Sequence, residues 1–291
     1  MLSGYPKVSV LTTVFNRAKF LGDCIESVQQ SRFMDYEHII VDDGSTDDSV
    51  EIAQRYAKKD PRIKVFVNET NLGDYPNRNE AARHASGTYL KYLDADDLHG
   101  PYILDVLVDC MQSFPLAGLG LFVHGEGSTH SPKCLSPDEV FNLHYRKKIG
   151  ILNRSPLGAV IKRTTFELLG GFPENQHVGD FEFWHRMAAN GSVVLLPSNL
   201  AHYRVHADQQ SADNRSDLRV PFKYFDAAIR GLQSNHENKL SEKTLHDTLG
   251  EIRQKQARTI LVLLRRAKFR LAIQLKRQSK LSWSALISNA K

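Results

Sequence analysis

Residues 38–48 read HIIVDDGSTDD. His38 to Val41 form a short β-leaning run, and Asp42-Asp43-Gly44 halts it with a turn signal. Ser45, Thr46, Asp47 and Asp48 then offer a cap and first-turn acids for a helix reaching about Lys58. A strand that ends in a polar turn and feeds a helix is half of a strand–helix–strand unit. The same rhythm recurs on both sides. Val8 to Thr13 (VSVLTT) reads as a strand, and Asn16 as the cap of a helix with Phe20, Leu21, Cys24, Ile25 and Val28 at helical spacing. Ile63 to Val67 is a third strand, Pro76 to about Ala85 a helix, Tyr89 to Leu93 a fourth strand and Pro101 to Phe114 a helix. Strands and helices alternating at this pace specify βαβ units around a mostly parallel sheet. Helices on both faces of such a sheet explain why the strands are continuously apolar.

The bulk numbers fit that architecture. The chain has 291 residues, enough for one large α/β domain with an appendage or for two small domains. Hydrophobic residues make up 41% and charged residues 24%, an ordinary globular composition. Cys24, Cys110 and Cys134 form no CxxC pair, which argues against a disulfide framework or a zinc site and suits a reducing compartment. The opening MLSGYPKVSV lacks a charged segment followed by a long apolar one, so no signal peptide is expected. The strongly apolar run near the C-terminus, Ile260 to Leu264, is too short to span a bilayer. The formal net charge is +5, yet residues 251–291 hold eleven Lys and Arg against one acid, Glu251, so the rest of the chain is net acidic.

From residue 119 the rhythm changes. Leu119 to His124 reads as a strand, residues 125–156 as irregular and polar, Leu157 to Ile161 as a strand and Thr164 to Leu169 as a short helix stopped by Gly170-Gly171. Val178 to Ala189 is helical, with short strands at Ser192–Leu196 and Ala201–Val205. Residues 207–220 (ADQQSADNRSDLRV) are the candidate boundary before a helical, basic C-terminal region.

Ligands of open parallel sheets bind beyond the carboxyl ends of the strands. Three such ends are polar here: Thr13, Asp42-Asp43-Gly44, and the DADD of Asp94, Ala95, Asp96 and Asp97. Each could be only a turn or a helix cap. Three carboxylates within four positions, with no cationic side chain among them, repel one another, and a divalent cation would balance them. Hard cations such as Mg²⁺ and Mn²⁺ take oxygen ligands, a few from protein and the rest from water and phosphate. A GxxxxGK[ST] loop is absent, and TTVFN at residues 12–16 stands where a GxGxxG would follow the first strand. A P-loop enzyme and a typical NAD enzyme are thereby disfavoured. Arg78, in NLGDYPNRNEA, is the cationic candidate for phosphate, against the alternative of a solvated helix face.

PKVSVLTTVFN, VDDGSTDDS, NLGDYPNRN and DADD occur in this order and at fitting intervals. Together they resemble the family 2 glycosyltransferases, whose nucleotide-sugar-binding fold is the GT-A type, over roughly residues 6–210. The resemblance implies that Thr13 and Asp43 line the base and ribose pocket of a nucleoside diphosphate sugar. It implies that Asp94-Ala95-Asp96 is the DxD motif, with Asp94 near the ribose or sugar and Asp96 binding Mn²⁺ or Mg²⁺ across the diphosphate. It also implies a general base. Asp180, in GDFEFW at residues 179–184, matches the aspartate that plays that role in inverting members, although Gly179 stands where the family has a glutamate. Glu182 lies two residues on, roughly 200° around a helix, and cannot simply replace it. Asp180 could alternatively be a first-turn acid serving only helix electrostatics. Tyr203-Arg204-Val205-His206 is similar to the family's Tyr-Arg-x-His stretch and makes His206 a weaker candidate metal ligand or diphosphate contact. The QxxRW signature of processive synthases is missing, which favours transfer of single sugars.

The basic tail allows two readings. On a helical wheel Ile260, Leu264, Ala267, Leu271 and Leu275 form one stripe, with Arg258, Arg266, Arg270, Lys276 and Arg277 roughly opposite. A basic helix over 253–280 would either pack on the catalytic body or dock on an anionic membrane surface. No nucleic-acid-binding motif accompanies the charges, so nucleic acid is not an expected partner.

The resulting expectation is an α/β chain of GT-A type with a Rossmann-like sheet. Residues 1–210 form its catalytic domain, 1–115 binding the nucleotide sugar and 116–210 the acceptor, and 211–291 form a helical extension. The expected activity is inverting, metal-dependent transfer of one sugar from a nucleoside diphosphate sugar, UDP-linked by preference, to a hydroxyl of a saccharide or lipid-linked acceptor in surface glycan synthesis. The expected location is cytoplasmic, with a peripheral place at the inner face of the plasma membrane if the basic tail takes its membrane-docking reading. The rival functions are a nucleotidyltransferase, which would need a Gly-rich cationic loop after the first strand, and a non-catalytic nucleotide-sugar-binding protein, which the Gly179 departure would suit.

Overall fold

The computed structural model describes residues 5–123, 128–174, 178–197, 201, 202, 204, 219–234 and 239–288. The alternating half consists of β1 (Val8–Val14), α1 (Ala18–Gln29), β2 (Tyr36–Asp42), α2 (Ser49–Ala57), β3 (Ile63–Val67), α3 (Asp74–Arg83) and β4 (Tyr89–Tyr92). β1 pairs in parallel with β2 on one side and β4 on the other, Val8 lying opposite both Tyr36 and Tyr89, and β2 pairs in parallel with β3. The carboxyl ends of β1, β2 and β4 therefore share one edge, with Val14 beside Asp42. β1, β2 and β4 are buried along nearly their whole length, as strands covered on both faces must be.

The second half is less regular. It comprises β5 (Leu98–His99), α4 (Ile103–Ser113), β6 (Leu119–Phe122), β7 (Lys133–Leu135), α5 (Pro137–Phe141), β8 (Ala159–Lys162), α6 (Arg163–Leu168), α7 (Gly179–Asn190), β9 (Val193–Leu196) and β10 (Ala201–His202). The main sheet has eight strands in the order β3-β2-β1-β4-β8-β6-β9-β7. β8 enters antiparallel between β4 and β6, β6 pairs in parallel with β9, and β7 closes the edge antiparallel to β9. β5 and β10 form a separate antiparallel pair.

Two local expectations need correction. Residues 125–156 are not simply irregular, because β7 and α5 lie within them. Ser136 caps α5 with a full capping box: its hydroxyl accepts from the Glu139 backbone N–H, and the Glu139 carboxylate accepts from the Ser136 N–H. Asn16 does not cap α1, whose N-cap position is Arg17. Asn16 instead takes a left-handed backbone conformation (φ 52°), and its side-chain oxygen accepts from Thr46 N at 2.8 Å, joining the turns after β1 and β2.

The C-terminal region is α8 (Val220–Gln233), α9 (Glu242–Arg265), α10 (Phe269–Ser279) and α11 (Trp283–Ser288). The single helix expected over 253–280 is broken at Arg266–Lys268, where Ala267 adopts a φ of 54°. α10 folds back on α9, and Ile260, Leu263, Ala272 and Leu275 share a small core with Phe222, Leu281 and Leu286. α8 and the first half of α9 belong to the main core, where Ala227, Ala228, Leu232, Leu240 and Ile252 pack with Phe181, Phe183 and Trp184. The Gly231 Cα sits so close to α7 that a Cβ there would fall 2.6 Å from the Glu182 carbonyl oxygen. Glu182, 3% exposed, clamps the pair by accepting from Arg230 Nε at 2.7 Å and from Arg186 at 3.3 Å. No helix among the described residues is long and apolar enough to cross a membrane.

Candidate active site

The turn after β2 organises the crevice at the sheet edge. Asp43 is buried, and both its carboxylate oxygens are occupied by protein: Oδ1 accepts from Leu72 N and Asn68 Nδ2, each at 2.8 Å, and Oδ2 from Gly73 N at 2.9 Å. Asp43 thus ties the 68–73 loop to the end of β2 and sets where α3 begins. Asp42 accepts from Ser45 N through Oδ1, while its buried Oδ2 has no hydrogen-bond partner. Thr13 stands half-buried on β1 beside Val41, on the same edge.

α3 carries two site residues on its first turns. Arg78, 7% exposed, is not on a solvated face. Its Nε donates to Asp74 Oδ1 at 2.8 Å, and its guanidinium lies 2.7 Å from Asp94 Oδ1. Arg78 therefore holds the first acid of the DADD run in place. Arg17 Nε donates to Asp96 Oδ2 at 3.1 Å. Arg204 donates from its backbone N–H to Asp97 Oδ1 at 3.0 Å and from its guanidinium to the Asp96 carbonyl oxygen.

The acidic cluster is consequently not the unneutralised charge the local sequence suggests, since three arginines distant in the chain meet it. Burial, reinforced by Asp94, pushes the Asp97 carboxyl up to about 7, and Asp97 Oδ2 is buried without a partner. Beneath the cluster Lys91 is fully buried on β4, where it donates to the carbonyls of Tyr92 and Leu157, and burial lowers its ammonium to about 7.

The fit of this crevice to a divalent cation follows from its donor set. No group of three or more His, Cys, Asp or Glu that could cage a metal exists among the described residues. A hard cation bound mainly through phosphate oxygens needs only one or two carboxylates. Asp96 supplies such a group at the rim, its side chain 16% exposed and its Oδ2 shared with Arg17, while Asp94 and Asp97 are engaged by Arg78 and Arg204. The residues present therefore fit a cation shared with a diphosphate, and do not fit an all-protein cage. His206, the other candidate ligand, lies outside the described residues, as does Tyr203.

Asp180 lies on the first turn of α7, partly exposed, and no side chain caps that helix. Its Oδ1 accepts from the Tyr75 hydroxyl at 3.0 Å and from Phe181 N at 2.7 Å. Burial raises its carboxyl above the ordinary range, and these two hydrogen bonds oppose the rise.

Tyr75, buried at the start of α3, also explains Gly179. A Cβ at 179 would fall 2.8 Å from Cδ2 and Cε2 of the Tyr75 ring and 2.9 Å from Cγ. The missing side chain makes room for the ring whose hydroxyl holds Asp180. Glu182, as its helical position requires, points away to the arginines of α7 and α8.

A cavity of about 620 Å³ opens beside Asp180, walled by the 144–155 segment, the start of α7, α8 and α9. Its surface includes Tyr145, Phe181, Tyr224 and Phe225, with Asn153, Arg154 and Lys255 as polar groups. Sequence reading did not find this wall. Its parts are separated by up to 111 positions, and Tyr145, inside the polar 125–156 stretch, is buried with its hydroxyl 2.7 Å from His185 Nε2.

Comparison with known proteins agrees with this fold. EpsH, a candidate glycosyltransferase of Bacillus subtilis (strain 168), is 31% identical over 222 residues, covering 69% of this chain and 61% of that relative, which is under two thirds of its length. Among solved structures, S. aureus TarS 1–349 in complex with UDP-GlcNAc superposes with a TM-score of 0.66 at 20% identity, over 84% of this chain and 71% of that one. The mannosyltransferase PcManGT from Pyrobaculum calidifontis, in complex with GDP-Man and Mn²⁺, gives 0.58 at 18% identity, over 99% and 87%. Residues 9–170 match the family described as glycosyl transferase family 2. The chain belongs to glycosyl transferase family 2 and has the GT-A fold.

Proposed function

We propose that the chain transfers a single sugar from a nucleoside diphosphate sugar, UDP-linked by preference, to an acceptor hydroxyl with inversion at the anomeric carbon. The observation that carries this reading is the continuity along α3. One helix joins the Asp94 crevice, through Arg78, to Asp180 and its cavity, through Tyr75. Donor in the crevice and acceptor in the cavity would then meet at Asp180. Asp180, oriented by Tyr75, removes the acceptor proton as the oxygen attacks from the face opposite the departing diphosphate. Thr13 and the β2 turn face the nucleoside, Arg78 keeps Asp94 beside the sugar, and Asp96 would hold Mn²⁺ or Mg²⁺. A bound divalent ion supplies charge stabilisation to the diphosphate.

Residues 1–115 serve the donor on this reading, and 116–210 serve the acceptor together with α8 and α9. The acceptor is a saccharide or lipid-linked saccharide of a surface glycan, used at the inner face of the plasma membrane. A docking face for anionic lipid is offered by α10 and α11. Phe269, Ile273 and Trp283 are 58%, 41% and 53% exposed, and Arg266, Lys268, Arg270 and Arg277 are exposed around them.

The test is turnover of a nucleotide-sugar panel with Mn²⁺ or Mg²⁺, comparing the natural chain with Asp180→Asn. Loss of a general base costs about 10²–10⁴ in rate. Asp180→Asn should lose transfer by that factor and keep thermal stabilisation by UDP. Full turnover in Asp180→Asn would sink the reading. Asp96→Asn should remove the metal dependence of UDP stabilisation.

A further inference from the structure

The cavity beside Asp180 has an unbalanced charge. Among the described residues Asp180 is the only acid on its wall, and Arg154 and Lys255 are its two full cations. Among the described residues neither cation forms an ion pair. Arg154 Nε is buried with no hydrogen-bond partner, and burial alone lowers its guanidinium, with no carboxylate opposing. Lys255 Nζ lies 5.0 Å from the centre of the Tyr145 ring. Glu251, one turn earlier on α9, sits near Tyr145 but makes no ion pair with Lys255. His144 lines the same cavity, and burial holds its imidazole neutral at about 2, with both cations adding to that effect.

Partly desolvated cations that no carboxylate meets are costly unless something anionic joins them in the working complex. A guanidinium fork suits the paired oxygens of phosphate. The aromatic walls, Tyr145, Phe181, Tyr224 and Phe225, suit the apolar faces of a sugar.

We propose that this cavity binds an acceptor carrying a phosphate group, which Arg154 and Lys255 grip so that the neighbouring sugar hydroxyl reaches Asp180. The proposal rests on Asp180 being the base of the transfer, and it adds the chemical class of the acceptor. Phosphate in a lipid diphosphate-linked sugar and phosphate in a soluble sugar phosphate or phosphodiester present the same chemistry to this pair.

The test uses the full chain saturated with UDP and Mn²⁺. Four probes are compared by calorimetry: a hexose 1-phosphate, the methyl glycoside of the same hexose, a hexuronic acid glycoside, and a polyprenyl diphosphate-linked sugar in detergent. The phosphate-bearing probes should bind at least about tenfold more tightly than the methyl glycoside, a difference of about 1.4 kcal/mol. Added salt should weaken that preference. Arg154→Gln should abolish it, and Lys255→Gln, on a separate element, should reduce it. Either variant alone suffices if the other fails to fold. Equal binding of phosphate-bearing and neutral probes would overturn the proposal. So would a preference for the uronate over phosphate, or binding of the lipid-linked probe alone that Arg154→Gln leaves intact. Turnover of a neutral acceptor that depends on Asp180 would overturn this inference and leave the proposed reaction standing. Undiminished transfer by Asp180→Asn would remove the reaction on which it rests.

Discussion

Gly179→Ala is the sharpest perturbation of the site. The new Cβ would stand 2.8 Å from two atoms of the Tyr75 ring, where carbon atoms are comfortable at about 3.5 Å or more. The ring must retreat by about 0.7 Å, the difference between those two distances. It has little room, since it is 5% exposed and sits 5.6 Å from the Phe172 ring, centroid to centroid. A retreat along the hydroxyl direction would stretch the 3.0 Å bond to Asp180 to about 3.7 Å, which is no longer a hydrogen bond. Overpacking of this kind costs roughly 1–3 kcal/mol of stability. A hydrogen bond to a charged group contributes roughly 1.5–3 kcal/mol, so transfer should slow by about 10- to 150-fold. The assay pairs thermal melting with transfer rates across pH, in a cycle with Tyr75→Ala. With the ring removed, Gly179→Ala should be close to neutral, giving a coupling of at least about 1 kcal/mol between the two positions. Additive effects, or an alanine at 179 that changes neither melting nor rate, would refute the account of why glycine stands there.

Other outcomes follow from the same contacts. Tyr75→Phe keeps the ring and removes the hydroxyl, which lowers the Asp180 pKa against the larger rise from burial. Asp180 should then ionise at higher pH, and the acid limb of the transfer profile should move upward; an unmoved or downward limb contradicts the assignment. Arg78→Met should destabilise the chain by about 3 kcal/mol, the low end for breaking a buried pair because Asp94 is 27% exposed. Melting should fall by several degrees, and a Tm unchanged from the natural chain would show that Arg78 does not support Asp94. For the membrane face, the chain should bind vesicles containing anionic lipid and release them in high salt, and Phe269→Glu should weaken binding. Equal binding to neutral vesicles would count against that docking surface.

The parallel half was legible because each of its signals is local. An apolar run, a polar stop and the start of a helix lie within about ten residues of one another, and β1 to β4 appear within two residues of their expected bounds. β7 was too short to announce itself, although the Ser136–Glu139 spacing of the capping box was visible. The break at Ala267 had no signal, since alanine favours helix and only the packing of α10 on α9 puts it in a left-handed turn.

The site was legible as residue types but not as partnerships. Asp94, Asp96 and Asp97 were found, while Arg17, Arg78 and Arg204 meet them across 16 to 108 positions of sequence. Gly179 looked like a loss until Tyr75, 104 positions away, was set against it. Side-chain contacts between distant elements are decided by tertiary packing, which no local pattern records.

The separation of the two walls bears on how such a chain could be recombined. Every described residue lining the cavity lies from His144 to Lys255, while Thr13, Asp43, Arg78, Asp94 and Asp96 all lie before residue 100. A chimera taking its first hundred residues from one relative and the remainder from another would exchange one wall nearly intact. Its seam would cross the β4–β8 pairing, the hydrogen bonds between Asn79 and Phe172, and the Tyr75 ring against residue 179. Parents that differ at position 75 or 179 should yield hybrids that fold poorly until both are transplanted together, so this pair is one compatibility rule for grafting one half onto the other.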